Sequence, residues 1–487
     1  MKNLKLKGTL AVGLLSLTTL VGCGGTSSVS SDNTITFWHT FSKSIQNVLN
    51  RKIESFEKYI QERDGVEINI EQSPRGDYDS LADGIIKGYA VGSTPTLTVA
   101  YPDNVAYYLG LETNPGDFVV KLDDFFEDPE LGFAADKTLN PNGKGTDDIV
   151  TSFFEEGQNY MYEGTYSLPF MKSSEIMLYN VDVVTQALTN LGIQQGADVY
   201  MSDITWNELM AICEEIAAKP EEYGLDTKLG DAYPLYYDSD ANFFITQSYQ
   251  RNIPFISMNE EGVGSIDFNN PQAVALINEF KDLHDRKILT TKGVENKYGS
   301  DFFKAMKSVF VVGSTGGSGY SDPGVSFDVG VCKFPVYEGI SADRAKYVSQ
   351  GVTLCLLNNS SDSAEVNDKK VRYGWEFMKY LLNTTNNIDL CLSSEGYIPV
   401  RESCYEDEAY QAYLNEQDYM SIVGKTVIEE INGNYFNYPV FQGSDTAREE
   451  VEGAVKNTLL GTRTAEENLK IAYDETIKDM RWYHENE

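Results

Sequence analysis

The chain predicts an α/β protein of two lobes with a helical C-terminal part. Three observations carry this. The first structured segment alternates strand and helix as βαβαβ, a second strand-and-helix region opens near residue 166, and about 460 residues past a leader exceed what one core accommodates.

In chain order, Thr34 to Trp38 is a short β-prone run. Ile45, Val48, Leu49, Ile53, Phe56 and Ile60 then recur at helical spacing. Val66, Ile68 and Ile70 alternate as a strand does, Tyr78, Leu81, Ile85 and Tyr89 mark a second helix, and Thr96 to Tyr101 reads as a third strand. This order implies a mainly parallel sheet, whose functional groups gather at the carboxyl ends of its strands. In the second region Ile176 to Tyr179 is a strand and Val181 to Leu191 a helix. Thr205-Trp206-Asn207-Glu208 is a capping box for the helix of Leu209, Ile212 and Ile216, and Asn270-Pro271 opens the helix of Val274, Ile277 and Phe280. Val309 to Val312, Val329 to Phe334 and Val352 to Leu357 are apolar runs of strand length, and from Val366 onward the pattern is mostly helical, with Thr464 to Glu467 capping the last helix.

Ahead of these elements, Lys2, Lys5 and Lys7 precede an uncharged stretch from Gly8 to Val21 that is too short to cross a bilayer, the layout of a secretory leader. It runs into Leu20-Val21-Gly22-Cys23, which resembles the lipobox of bacterial lipoproteins. That resemblance implies cleavage before Cys23 and a diacylglycerol on its thiol. Residues 23–32, rich in Gly and Ser, read as a lipidated tether holding the domain at the outer face of the cell membrane. Losing the three leader lysines takes the formal charge from −35 to −38, which argues against nucleic acid or an anionic membrane surface as partner. Cys213, Cys332, Cys355, Cys391 and Cys404 are widely spaced and read as buried small hydrophobes, with a Cys391–Cys404 disulfide open as an alternative.

Signals for catalysis are weak. His39, His284 and His484 lie far apart and form no zinc-protease pattern. Gly424-Lys425-Thr426 lacks the leading glycine of a phosphate loop. Asp238, Asp240 and Asn242 have the spacing of half a calcium loop, but Phe243 stands where its glycine belongs, so an acidic surface turn is the expectation. Neither an enzyme nor a metal or other cofactor is expected.

Four stretches in order carry a resemblance across nearly the whole mature chain: Thr34 to His39, Tyr166 to Phe170 leading to Leu178-Tyr179-Asn180, Thr205 to Leu209, and Gly396 to Arg401. Together they resemble the extracellular solute-binding proteins of ABC importers, in the subgroup of glycerol-3-phosphate- and maltose-binding proteins. The resemblance implies a type 2 periplasmic-binding-protein fold, with two α/β lobes of mixed sheets joined by a multi-strand hinge. Residues 33–165 and 335–395 would form lobe 1, and 166–334 and 396–487 lobe 2. It also implies a monomer that captures a sugar or oligosaccharide in the interlobe cleft and delivers it to the transmembrane subunits of a permease. By the same resemblance Trp38, Tyr78, Asp103, Ser173, Thr315, Gly316, Gly317, Gly351 and Tyr397 would line the ligand site. Glycerol-3-phosphate binders of this kind grip phosphate with an arginine near the C-terminal segment. The window from Ile431 to Gln442 holds Tyr435, Phe436, Tyr438 and Phe441 but no basic residue, which favours a sugar, with Arg401 or Arg448 left as a source of charge. The alternatives are a polyol-phosphate binder, a surface glycosidase and a sensor or adhesion lipoprotein.

Overall fold

The computed structural model describes residues 29–485 apart from 127, 229, 395 and 432–434. The leader, Cys23 and the start of the tether lie outside the described residues. No helix among the described residues is long and apolar enough to cross a membrane.

The helix Lys43–Asp64 buries Ile45, Leu49, Ile53, Phe56 and Ile60, the stripe its sequence spacing predicts, and stops at Gly65 in the left-handed conformation. It covers a five-stranded sheet ordered Asn69–Pro74, Thr34–His39, Leu97–Ala100, Gln350–Leu356 and Leu168–Ser173. The first three strands are parallel, as βαβ connections require. Gln350–Leu356 runs against both its neighbours, while Leu168–Ser173 points the same way as the first three, so the sheet is mixed through one reversed strand. The segment from 166, assigned above to lobe 2, first adds a fully buried strand to this sheet before crossing at Ser174, and the chain later returns through the reversed strand Gln350–Leu356.

The second sheet is ordered Val329–Lys333, Glu175–Asn180, Phe310–Ser314, Leu235–Tyr237 and Leu289–Thr291. Its helices start where their caps predict. Thr205 Oγ1 accepts from the Glu208 amide, the Glu208 carboxylate accepts from the Thr205 amide, and Asn270 caps the helix Pro271–Asp285. Trp206 packs among Phe243, Phe334 and Tyr337 as a core residue.

Three stretches join the lobes: Ser173–Glu175, the run from Phe334 to Gln350, and the tail beyond 393. In the tail, Ile398 bridges to Lys172 and Arg401 to Ile149, both on the first lobe's side, before the helix Tyr419–Ile431 packs on the strand Val329–Lys333. The helix Ser444–Leu459 then lies on Asp240–Gln250 and Pro271–Asp285 and reaches Pro102–Leu109 of the first lobe. Cys213, Cys332, Cys355, Cys391 and Cys404 are all buried free thiols, so the Cys391–Cys404 disulfide is not formed. Arg401 is not a source of charge for a ligand. It is wholly buried, with Nε donating to Asp148 Oδ2 at 2.6 Å and Nη2 to the Lys144 carbonyl at 3.0 Å.

His39 ends the first strand with no exposure. Its Nδ1 accepts from the Phe41 amide at 3.2 Å, which assigns the proton to Nε2, 2.8 Å from Gln72 Oε1. Burial lowers its pKa to about 4, against the donor contact to Gln72, which raises it. The unfolded chain therefore takes up a proton first as pH falls below its ordinary value, and stability is lost between about 6.5 and 4, by up to ~3 kcal/mol. Urea unfolding on either side of that window should show this loss in the wild type, and His39→Gln should remove it.

Candidate ligand-binding site

Parallel strands of both sheets end facing each other across a cleft of about 910 Å³. The first lobe contributes the turns after its parallel strands: Phe41, Gly76 to Tyr78, and Tyr101 to Asp103. The second lobe answers with Asp238 after Leu235–Tyr237, Lys292 after Leu289–Thr291, and Gly316 and Gly317 after Phe310–Ser314. Arg448 and Tyr438 enter from the C-terminal part.

A tyrosine cluster lines one side. The rings of Tyr78 and Tyr101 meet edge-on at 4.6 Å, and the Tyr78 hydroxyl shares hydrogen bonds with Thr40 and Tyr397. Tyr397 comes from the turn after Thr384–Leu392, where its amide donates to Ser394 Oγ at 2.9 Å. Its ring lies on Gly316, where a Cβ would stand 2.9 Å from the ring, so that position must stay small.

Opposite, Arg448 Nη2 donates to Asn242 Oδ1 at 2.6 Å, with Tyr438, Tyr101 and Asp103 around it. It makes no ion pair among the described residues. Asp103 is buried, its Oδ1 accepting from the Asn104 amide at 3.0 Å; burial raises its pKa while Arg448 pulls it back. Glu175, also buried, accepts from the Tyr237 hydroxyl at 2.7 Å, and desolvation pushes it up to about 7. Asp238 accepts from the Gly299 amide at 2.6 Å and is pushed to about 6 by burial. At the floor Lys172 Nζ and Glu156 Oε2 pair at 2.5 Å, both almost wholly buried.

Of the residues predicted to line the site, Tyr78, Asp103, Gly316, Gly317, Gly351 and Tyr397 are brought together on the cleft wall. Trp38, Ser173 and Thr315 are not. Trp38 lies beneath the Arg75 guanidinium, 3.6 Å from its ring, and packs toward Gly84. Ser173 and Thr315 brace the crossing: Ser314 Oγ meets Ser173 Oγ at 3.1 Å, and the Thr315 amide donates to the Ser174 carbonyl at 2.9 Å. Gly351 is on the wall for a backbone reason. It holds φ +102 beside a register shift, and a Cβ there would meet the Met171 carbonyl at 2.4 Å. Gly351→Ala should cost about 1–3 kcal/mol in urea unfolding.

Sequence reading missed Asn242, Glu175 and Asp238. The acidic surface turn expected at 238–242 is overturned, because Asp240 is buried and accepts from Thr291 Oγ1 at 2.6 Å and the Gly293 amide at 2.9 Å. The usable signal was Ser239, a helix cap directly after a short apolar run.

Two lobes with an open cleft lined from both sides are the architecture of a protein that encloses a small molecule. The model of the bacterial extracellular solute-binding protein family matches residues 53–416, and the chain belongs to that family. Similar solved structures include the GacH receptor of Streptomyces glaucescens, solved unliganded and with acarbose, at 18% identity and TM-score 0.65 over 92% of this chain and 98% of that one. Maltose-bound MalE3 of T. maritima gives 16% and 0.63 over 91% and 98%. UgpB of Mycobacterium tuberculosis with glycerophosphocholine gives 16% and 0.65 over 92% and 98%. Among curated proteins no sequence match was found.

Proposed function

We propose that the protein captures a sugar or oligosaccharide between its lobes and delivers it to the transmembrane subunits of an importer, held at the outer membrane face by lipid on Cys23. The observation that carries this is the convergence, from both lobes, of tyrosine faces (Tyr78, Tyr101, Tyr397, Tyr438) and fixed polar groups (Asp103, Asn242, Arg448) on one cleft. A sugar presents apolar ring faces and hydroxyls that both donate and accept, which suits that set. Contacts from both sides let a ligand favour the closed arrangement. The protein acts as a monomer and returns its ligand chemically unchanged.

One observation favours a second reading: Arg448, half-buried in the cleft without an ion pair among the described residues, suits a phosphate, as in a polyol phosphate. Native mass spectrometry of freshly purified protein, followed by calorimetry against neutral sugars and glycerol phosphates, separates the two. Co-purification or tight binding of a neutral sugar, recovered at its original mass, supports the first; binding confined to phosphates overturns it.

A further inference from the structure

The three interlobe stretches meet around one buried carboxyl that the cleft does not use. Glu430, at the end of the helix Tyr419–Ile431, is wholly buried, and its carboxyl oxygens make no well-formed hydrogen bond among the described residues, with the Ser174 hydroxyl beside them. The hydroxyls of Ser174 and Tyr435 are buried beside each other and likewise make no well-formed hydrogen bond among the described residues. Ser174 is the single residue between the strand Leu168–Ser173 of the first sheet and Glu175–Asn180 of the second. Tyr435 pairs with Tyr347 of the second crossing, and its ring packs on Phe153 of the first lobe at 5.9 Å. Its neighbour Phe436 stacks on Tyr249 of the second lobe at 3.7 Å. The carboxyl therefore sits where the crossings between the lobes meet.

The charged and titratable groups facing it come from every element packed there. Lys333 and Cys332 lie on the strand Val329–Lys333, Glu175 on the strand beside it and Glu429 on the same helix, with Tyr347 and Tyr435 on the crossings and Glu156 beyond Tyr435. Burial is the largest influence and pushes Glu430 up to about 8, with Glu175 and Glu429 acting in the same direction; the Ser174 hydroxyl and Lys333 oppose it. An uncharged acid tolerates this buried place, whereas a carboxylate with only the Ser174 hydroxyl beside it needs further donors, which water supplies.

We propose that Glu430 is a proton-controlled element of the hinge: as a neutral acid it lets the crossings stay packed, and its ionisation favours the conformer that admits water between them. A conformer with a wetter hinge binds this proton less tightly, so rising pH populates it and the ionised group releases its proton to solvent. The inference rests on the reading of two lobes that move, and on nothing about the ligand.

The test uses the full-length chain without ligand. Lys58→Cys on the first lobe and Val199→Cys on the second introduce two exposed thiols, while the native cysteines of the folded part are buried. Spin labels on the pair report interlobe distance between about pH 6 and about pH 9.5, on either side of the Glu430 transition. The distance distribution should shift with a midpoint near 8 in the wild-type background, and in Glu430→Gln it should keep its low-pH form throughout. Ser174→Ala, which removes the hydroxyl favouring the carboxylate, should move the midpoint to higher pH and carries the test if the Gln variant does not fold. A wild-type distribution that does not change, a Glu430→Gln protein that shifts as the wild type does, or an unmoved midpoint in Ser174→Ala overturns the proposal. Failure of every sugar to bind would leave this readout intact, so the two ideas fail separately.

Discussion

Arg401→Ala is expected to lower folding stability by about 3–5 kcal/mol, read as a drop in the urea midpoint. The guanidinium and Asp148 are both buried and lie 2.6 Å apart, and Asp148 also accepts from the Ser403 amide at 3.1 Å and hydroxyl at 2.6 Å. Removing the arginine leaves a buried carboxylate without its main counter-charge and strips donors from the carbonyls of Lys144 and Gly145. Replacing the pair together, Arg401→Met with Asp148→Leu, should recover much of the loss, since the expense of a broken pair is the orphaned charge and not the missing attraction. Ligand binding should persist in any fraction that folds, because neither residue of the pair lines the cleft.

Arg448→Ala is expected to weaken ligand binding by about 2–5 kcal/mol, roughly 30-fold or more, with a smaller change in unfolding midpoint. Here the guanidinium lines the cleft and is held there by Asn242 and Tyr438, with no ion pair among the described residues. Arg448→Lys keeps the charge but loses the planar fork, so it should recover little affinity for a ligand gripped at two oxygens and more for one held by charge alone. Calorimetry with the compound identified by native mass measurement checks both variants. An Arg448→Ala protein that binds as the wild type does would remove this residue from the site.

Much of the fold was legible because its signals are local. The stripe from Ile45 to Ile60, the box at Thr205, the Asn270-Pro271 start and the apolar runs after 309 each depend on a few neighbouring residues, and each element stands where it was expected within a few positions. Strand direction was less legible. Nothing in Leu168–Ser173 or Gln350–Leu356 tells which sheet they join, since both are buried runs and their partners lie far away in sequence. The site divides the same way. Tyr78, Asp103 and Tyr397 follow strand ends or turns and could be named. Arg448 was only one of two arginines left open, for it lies on a helix whose near neighbours are acidic, and only tertiary packing brings it to Asn242 while burying Arg401 against Asp148.

The order of strands in the first sheet has a consequence for biogenesis. Its inner member Gln350–Leu356 is translated only after every strand of the second five-stranded sheet, so a polypeptide emerging from its N-terminus cannot complete the first sheet until the strands of the second have been made. A ribosome-bound fragment ending near residue 340 would carry an open edge at Leu97–Ala100, a template for unwanted pairing that only the later segment covers.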